Sequence, residues 1–218
     1  NTVNTTGVGA ISTFHLDGIN VVNGSNQTIE GNVVLNSGWD GINVWNTTNT
    51  YVLGNLVSNS YRSALAIGAT MGGSVEDNQF VDNWGGMWVS NTTNLLIDDN
   101  KVDTTTGNHG IYLAGGDVNT TITDNAVYKT FADGIHVQGA TDTYIAGNDI
   151  GRNGSGVVQG DNNVGGDGVL VINSAGAIVY ANDIEETTGD GIELRDSDNA
   201  YADYNYINNA GVNGVYVN

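Results

Sequence analysis

The chain has 218 residues with 24 Asp plus Glu against 5 Lys plus Arg, a formal net charge of −19. That balance excludes a nucleic-acid partner, which needs clustered Lys and Arg for the phosphates, and it opposes docking on an anionic membrane surface. There are 32 Gly but no Pro and no Cys, so no disulfide can form, and no apolar run reaches the roughly 18 residues of a membrane span.

The predicted elements recur. Asp17-Gly18-Ile19-Asn20-Val21 returns as Asp40-Gly41-Ile42-Asn43-Val44, Ser63-Ala64-Leu65-Ala66-Ile67, Gly85-Gly86-Met87-Trp88-Val89 and His109-Gly110-Ile111-Tyr112-Leu113. Then come Asp133-Gly134-Ile135-His136-Val137, Asp167-Gly168-Val169-Leu170-Val171, Asp190-Gly191-Ile192-Glu193-Leu194 and Asn213-Gly214-Val215-Tyr216-Val217. The second residues of these copies are 18, 41, 64, 86, 110, 134, 168, 191 and 214, so the steps are 23, 23, 22, 24, 24, 34, 23 and 23. The single step of 34 is a loop insertion, Gly151 to Gly166, at the rim of the strand that follows.

A second column keeps the same register: Asn32, Asn55, Asn78, Asn100, Asn125, Asn148, Asn182 and Asn205. Apolar residues stand three before each Asn (Ile29 through Ala202) and two after it (Val34 through Ile207). With the paired apolar positions of the Asp-Gly-Ile-x-Val segment, each turn offers four inward side chains. Three short strands per turn, separated by Gly, Asn, Ser and Thr, describe coils of about 23 residues stacked about 4.8 Å apart. The Asn column is expected at a buried bend as an amide ladder. The lack of Pro fits strands that need their N–H groups for pairing on both sides.

These residues resemble the right-handed parallel β-helix repeat family, over Asp17 to Asn218. The resemblance implies one all-β solenoid domain, residues 1–218, of about eight coils. The family includes polysaccharide lyases, hydrolases and epimerases, phage tailspikes and surface adhesins, which implies an extracellular or cell-surface setting. The stretches Asn108-His109-Gly110-Ile111 and Gly38-Trp39-Asp40-Gly41-Ile42 are similar to mannuronan C5-epimerases. In that family a Tyr-Gly-Phe-Asp-Pro-His-Glu motif precedes such a strand by one coil. Here Asp17, Asn20 and Val22 stand where its Tyr, Asp and His would be, so the epimerase motif is missing.

Position four of each copy points outward and is expected to form an exposed stripe: Asn20, Asn43, Ala66, Trp88, Tyr112, His136, Leu170, Glu193 and Tyr216. Position six adds Trp45 and Arg195 to the same face. Trp45, Trp88, Tyr112, His136, Glu193 and Arg195 are therefore the candidate glycan-binding set, since aromatic rows on a rigid face can hold sugar rings; a packing ladder is the plainer alternative. The Asp column reads first as turn chemistry, each Asp capping a bend through its own backbone. Asp133, Asp161 and Asp167 form the candidate Ca²⁺ site; no other cofactor is called for.

A uronan lyase or epimerase would need a base, an acid and a cation, which His109, Tyr112, His136 and Lys129 supply. The −19 charge argues against an acidic polymer, so the first expectation is an extracellular adhesin-type scaffold that binds a polysaccharide or cell-surface glycan. A polysaccharide-modifying enzyme is the second and a structural fibre subunit the third. The sequons at Asn4, Asn46, Asn91 and Asn119 are read as turns. A first residue other than Met suggests a processed or excised segment, and ends without caps suggest a longer protein or end-to-end self-association.

Overall fold

The structure, a computed structural model, describes residues 2–4, 16–151 and 164–218. Asp161, His15, Arg152 and most of the inserted loop lie outside the described residues. The described strands are all parallel and form three sheets, two of nine strands and one of eight, in which each strand pairs with its counterparts one coil earlier and one coil later. Sheet A carries strands such as Val33–Leu35, sheet B strands such as Ile42–Trp45, and sheet C strands such as Thr48–Leu53. The register matches the repeat read from sequence, including the coil interrupted by the insertion, where His136 pairs with Leu170.

Burial follows from the alternation. In Ile42–Trp45, Ile42 and Val44 are fully buried whereas Asn43 is half-buried and Trp45 exposed. Val34, Val57, Phe80, Val102, Val127, Ile150 and Ile184 fill the core from sheet A, while Ile29, Val52, Val75, Ile97, Ile122, Ile145 and Val179 fill it from sheet C. Each such side chain contributes about 1.5–3 kcal/mol by leaving water. The second residue of the repeat is small for a packing reason. A Cβ on Gly41 would lie 2.1 Å from Val57 Cγ1 and 2.7 Å from the Ala64 carbonyl oxygen.

The Asn column sits at the bend from sheet C to sheet A. Asn100 Oδ1 accepts from the backbone N–H of Asn78 at 3.1 Å and from its Nδ2 at 2.9 Å. Asn100 Nδ2 donates to the carbonyls of Val75 and Asp98 and to Asn125 Oδ1. Replacing Asn100 by Ala strands the buried Asn78 N–H and the Val75 carbonyl. A loss of roughly 3 kcal/mol is expected in urea unfolding, since each buried unpaired group costs about 1–3 kcal/mol; a loss below about 1 kcal/mol would show that the ladder is incidental. The sequon residues Asn46, Asn91 and Asn119 all have positive φ, as turn residues do, and Asn46 and Asn119 donate to Asn23 and Asn94 of the preceding coil.

Candidate glycan-binding face and histidine centre

The site is built where the bend from sheet A turns into sheet B. The Asp column there corrects one expectation: its carboxylates cap the next coil rather than their own backbone. Asp17, Asp40, Asp133, Asp167 and Asp190 each accept, through Oδ1, the N–H of the residue one coil on, at 2.6–3.2 Å. Stacking fixes the spacing of these carboxylates, and the bonds to N–H groups offset their mutual repulsion.

The position-four stripe is a second correction, because it is not exposed throughout. Ala66 and Leu170 are buried, and Trp88, Tyr112, His136 and Glu193 are half-buried. At one end of the stripe the Trp45 indole crosses the next coil: a Cβ on Gly68 would lie 2.1 Å from the Trp45 ring. Having no neighbour side chain at Gly68, Trp45 stacks on Trp88 two coils away, with ring centroids 6.1 Å apart and planes within 11°. Trp45 remains 37% exposed, so the pair is a flat apolar platform open to solvent.

Residues that the repeat reading passed over extend this platform. Arg62 lies 5.3 Å from the Trp88 ring centroid and 5.4 Å from that of Trp39, and pairs with Asp40 at 3.4 Å. Trp39, Tyr61, Arg62 and Trp84 then line a groove of about 550 Å³ together with Asn59, Ser60, Asp82 and Thr106. Their sequence signal is positional. Trp39, Arg62 and Trp84 each immediately precede a repeat copy, and so form one column at the bend.

Further along the face, the structure brings His109, Tyr112 and His136 together. The two imidazole centroids are 4.4 Å apart, and the Tyr112 ring is 5.0 Å from His109 and 4.9 Å from His136. Both imidazoles meet one carboxylate oxygen: Asp133 Oδ2 lies 3.1 Å from His109 Nδ1 and 2.8 Å from His136 Nδ1. Burial alone would raise the Asp133 carboxyl, but the hydrogen bonds from His109 and His136 and the Asp167 N–H outweigh it and hold Asp133 well below the usual carboxylate range. Burial raises the Tyr112 phenol above its ordinary value, so it stays a donor at neutral pH and donates to Gln138 Oε1 at 2.8 Å. Lys129, expected here, makes no hydrogen bond, ion pair or ring contact with this cluster among the described residues; it occupies the turn after strand Ala126–Tyr128 with positive φ.

The expected Ca²⁺ trio divides. Asp161 lies outside the described residues, Asp133 faces two nitrogens, and Asp167 groups instead with Asp190 and Glu193, each offering an oxygen within 4.8 Å of the others. Burial, with the charges of Asp133 and Glu193, raises the Asp167 carboxyl to about 7 against the opposing hydrogen bond from the Asp190 N–H. Glu193 pairs with Arg195 at 3.3 Å.

A family model described as right-handed β-helix region matches residues 4–150 and 104–218. The chain belongs to the right-handed β-helix family. A search of curated proteins finds no match. Among solved structures, the chain is similar to a double mutant of a periplasmic alginate epimerase, with TM-score 0.65 and 16% identity over 88% of this chain and 50% of that one. It is similar to the Azotobacter vinelandii mannuronan C-5 epimerase A-module, with TM-score 0.62 and 16% identity over 93% of this chain and 61% of that one. The Dettilon tailspike protein matches with TM-score 0.67 and 16% identity over 92% of this β-helix and 42% of its own chain. The β-helix thus spans about half the length of these proteins, and at such identities the likeness is one of fold. No helix among the described residues is long and apolar enough to cross a membrane.

Proposed function

We propose that this β-helix is an extracellular, adhesin-type scaffold that binds a polysaccharide or cell-surface glycan lengthwise on sheet B. The observation that carries the reading is the Trp45–Trp88 platform, formed across Gly68 and continued through Arg62 into the Trp39 groove. A solvated sheet face has no packing need for two stacked indoles, whereas sugar rings present apolar C–H faces that such platforms cover. Arg62 is neutralised by Asp40, and the carboxylates of Asp133, Asp167, Asp190 and Glu193 continue the face, so a neutral polymer suits it better than a polyuronate. The neighbouring tailspike and alginate epimerases lend the reading general support through fold.

Affinity electrophoresis through gels containing neutral or acidic polysaccharides tests it. At least one neutral polymer is expected to retard the protein, and Gly68→Ala, which keeps Trp45 but displaces its ring, is expected to weaken retention severalfold. Equal retardation of the wild type and Gly68→Ala would remove the platform from the account.

A second reading, a lyase or epimerase acting on the bound glycan, draws on one specific observation. Asp133 orients two imidazoles beside Tyr112, the carboxylate–imidazole arrangement that prepares a general base. Unsaturated products would absorb in the ultraviolet, and epimerised ones would change the proton NMR spectrum; silence in both would leave the scaffold reading alone.

A further inference from the structure

We propose that His109, Asp133 and His136 form a binding site for a divalent transition-metal ion of the Zn²⁺ type, with His109 Nδ1, His136 Nδ1 and Asp133 Oδ2 as ligands. The inference does not depend on glycan binding or turnover. It begins from a conflict in the hydrogen bonding. Asp133 N–H donates to His109 Nδ1 at 3.2 Å, which requires a bare lone pair on that nitrogen. The same Nδ1 lies 3.1 Å from Asp133 Oδ2, where a bare lone pair would face a lone pair of the carboxylate oxygen. If His109 instead carries the proton on Nδ1, the N–H of Asp133 loses its acceptor. Either state leaves one poor contact in a site that is largely shielded from water.

A cation between the three atoms replaces the repulsion by coordination of both nitrogens and the carboxylate oxygen, and gives up the 3.2 Å contact from the Asp133 N–H. Donor atoms around a tetrahedral ion bound at about 2.0–2.1 Å lie about 3.3 Å from one another. Here the two nitrogen–oxygen separations are 3.1 and 2.8 Å, and each of the three residues offers a ligand atom within 4.8 Å of the others. Small movements of the imidazoles would open these distances to the tetrahedral edge. The register sets position one of a copy beside position one of the next and pairs Tyr112 with His136, and the His109 ring reaches His136 with centroids 4.4 Å apart. His109 is position one of its copy, and Asp133 and His136 are positions one and four of the following copy.

Two nitrogens and one carboxylate select the ion. Ca²⁺ and Mg²⁺ take oxygen ligands, whereas imidazole suits Zn²⁺, Cu²⁺, Ni²⁺ and Fe²⁺. Three protein ligands leave a fourth position open, as in metal sites that bind a water or a substrate oxygen. Asp133 Oδ1 remains on the Asp167 N–H at 2.8 Å and would fix the orientation of the ligating carboxylate.

The test uses untagged protein freed of metal with a chelator and then titrated with Zn²⁺ alone by calorimetry, with Co²⁺ absorbance as a report on geometry. One equivalent of Zn²⁺ is expected, with tetrahedral Co²⁺ bands, no displacement by excess Ca²⁺, and at least tenfold weaker binding in His109→Gln and in His136→Gln. Asp190→Asn, which alters the neighbouring carboxylate group only, is expected to bind as the wild type does. Circular dichroism of each variant separates loss of ligand from loss of fold. Absence of a one-equivalent site in the wild type would overturn the proposal, as would unchanged affinity in both folded His variants or displacement by Ca²⁺.

Discussion

Asp167→Asn is expected to stabilise the metal-free protein at pH 8 and to leave it nearly unchanged at pH 4. The Asp167 carboxyl is raised from 3.8 to about 7, because burial and the charges of Asp133 and Glu193 disfavour its ionised form. Between these values the folded protein holds a proton that the unfolded chain has released. Stability therefore falls as pH rises from about 4 to about 7 and stays reduced above that. The gap corresponds to a ceiling of about 4 kcal/mol. Asp167 is only partly buried and shares its charge with its neighbours, so solvent screening and relaxation bring the expected effect to about 1–2 kcal/mol. Asn keeps an oxygen for the Asp190 N–H, now 2.6 Å from Asp167 Oδ1, so the coil contact survives while the buried charge is removed. Urea unfolding at the two pH values checks this. An equal gain at both, or a loss at pH 8, would mean that Asp167 ionises freely in the folded protein.

The second large effect concerns the indoles. Removing Trp45 and Trp88 together is expected to weaken glycan binding at least tenfold, about 1.4 kcal/mol, because both rings of the platform and its apolar area are lost. Trp45→Ala alone has a smaller effect, since Trp88 keeps its contact with Arg62. The fold should tolerate both changes, because neither ring belongs to the buried core. Circular dichroism and urea midpoints close to the wild type are the accompanying controls; a double variant that unfolds would show instead that the indoles stabilise the sheet.

The architecture was legible because a stacked coil repeats its constraints. The Asn ladder, the Asp-Gly pair and the apolar alternation recur with the coil, and together they set the register across the 34-residue step between Gly134 and Gly168. The position-four and position-six columns likewise placed Trp45, Trp88, Tyr112 and His136 on one face. Side-chain reach was harder to read. Trp45 was legible as a residue two coils from Trp88, but its crossing depends on Gly68 offering no Cβ, a relation between columns rather than within one. Asp133 was visible as an acid in a column of acids. Its convergence with two imidazoles combines a cross-coil contact with His109 and an i,i+3 contact with His136 in its own copy, and the cross-coil part is one that a linear motif does not display. Arg62 belongs to no motif, and its part shows only in the column that borders the face, where its place before Ser63 puts it between Trp39 and Trp84.

The central claim, glycan held on the Trp45–Trp88 platform, is tested most directly by the four indole N–H signals in the NMR spectrum. The chain has four Trp, at positions 39, 45, 84 and 88, so each signal can be assigned by substitution. Titration with oligosaccharides from a polymer that retards the protein is expected to shift the signals of Trp45 and Trp88 most, with Trp39 following through its contact with Arg62. Saturating oligosaccharide that leaves Trp45 and Trp88 unmoved would contradict the account and place binding elsewhere on the β-helix.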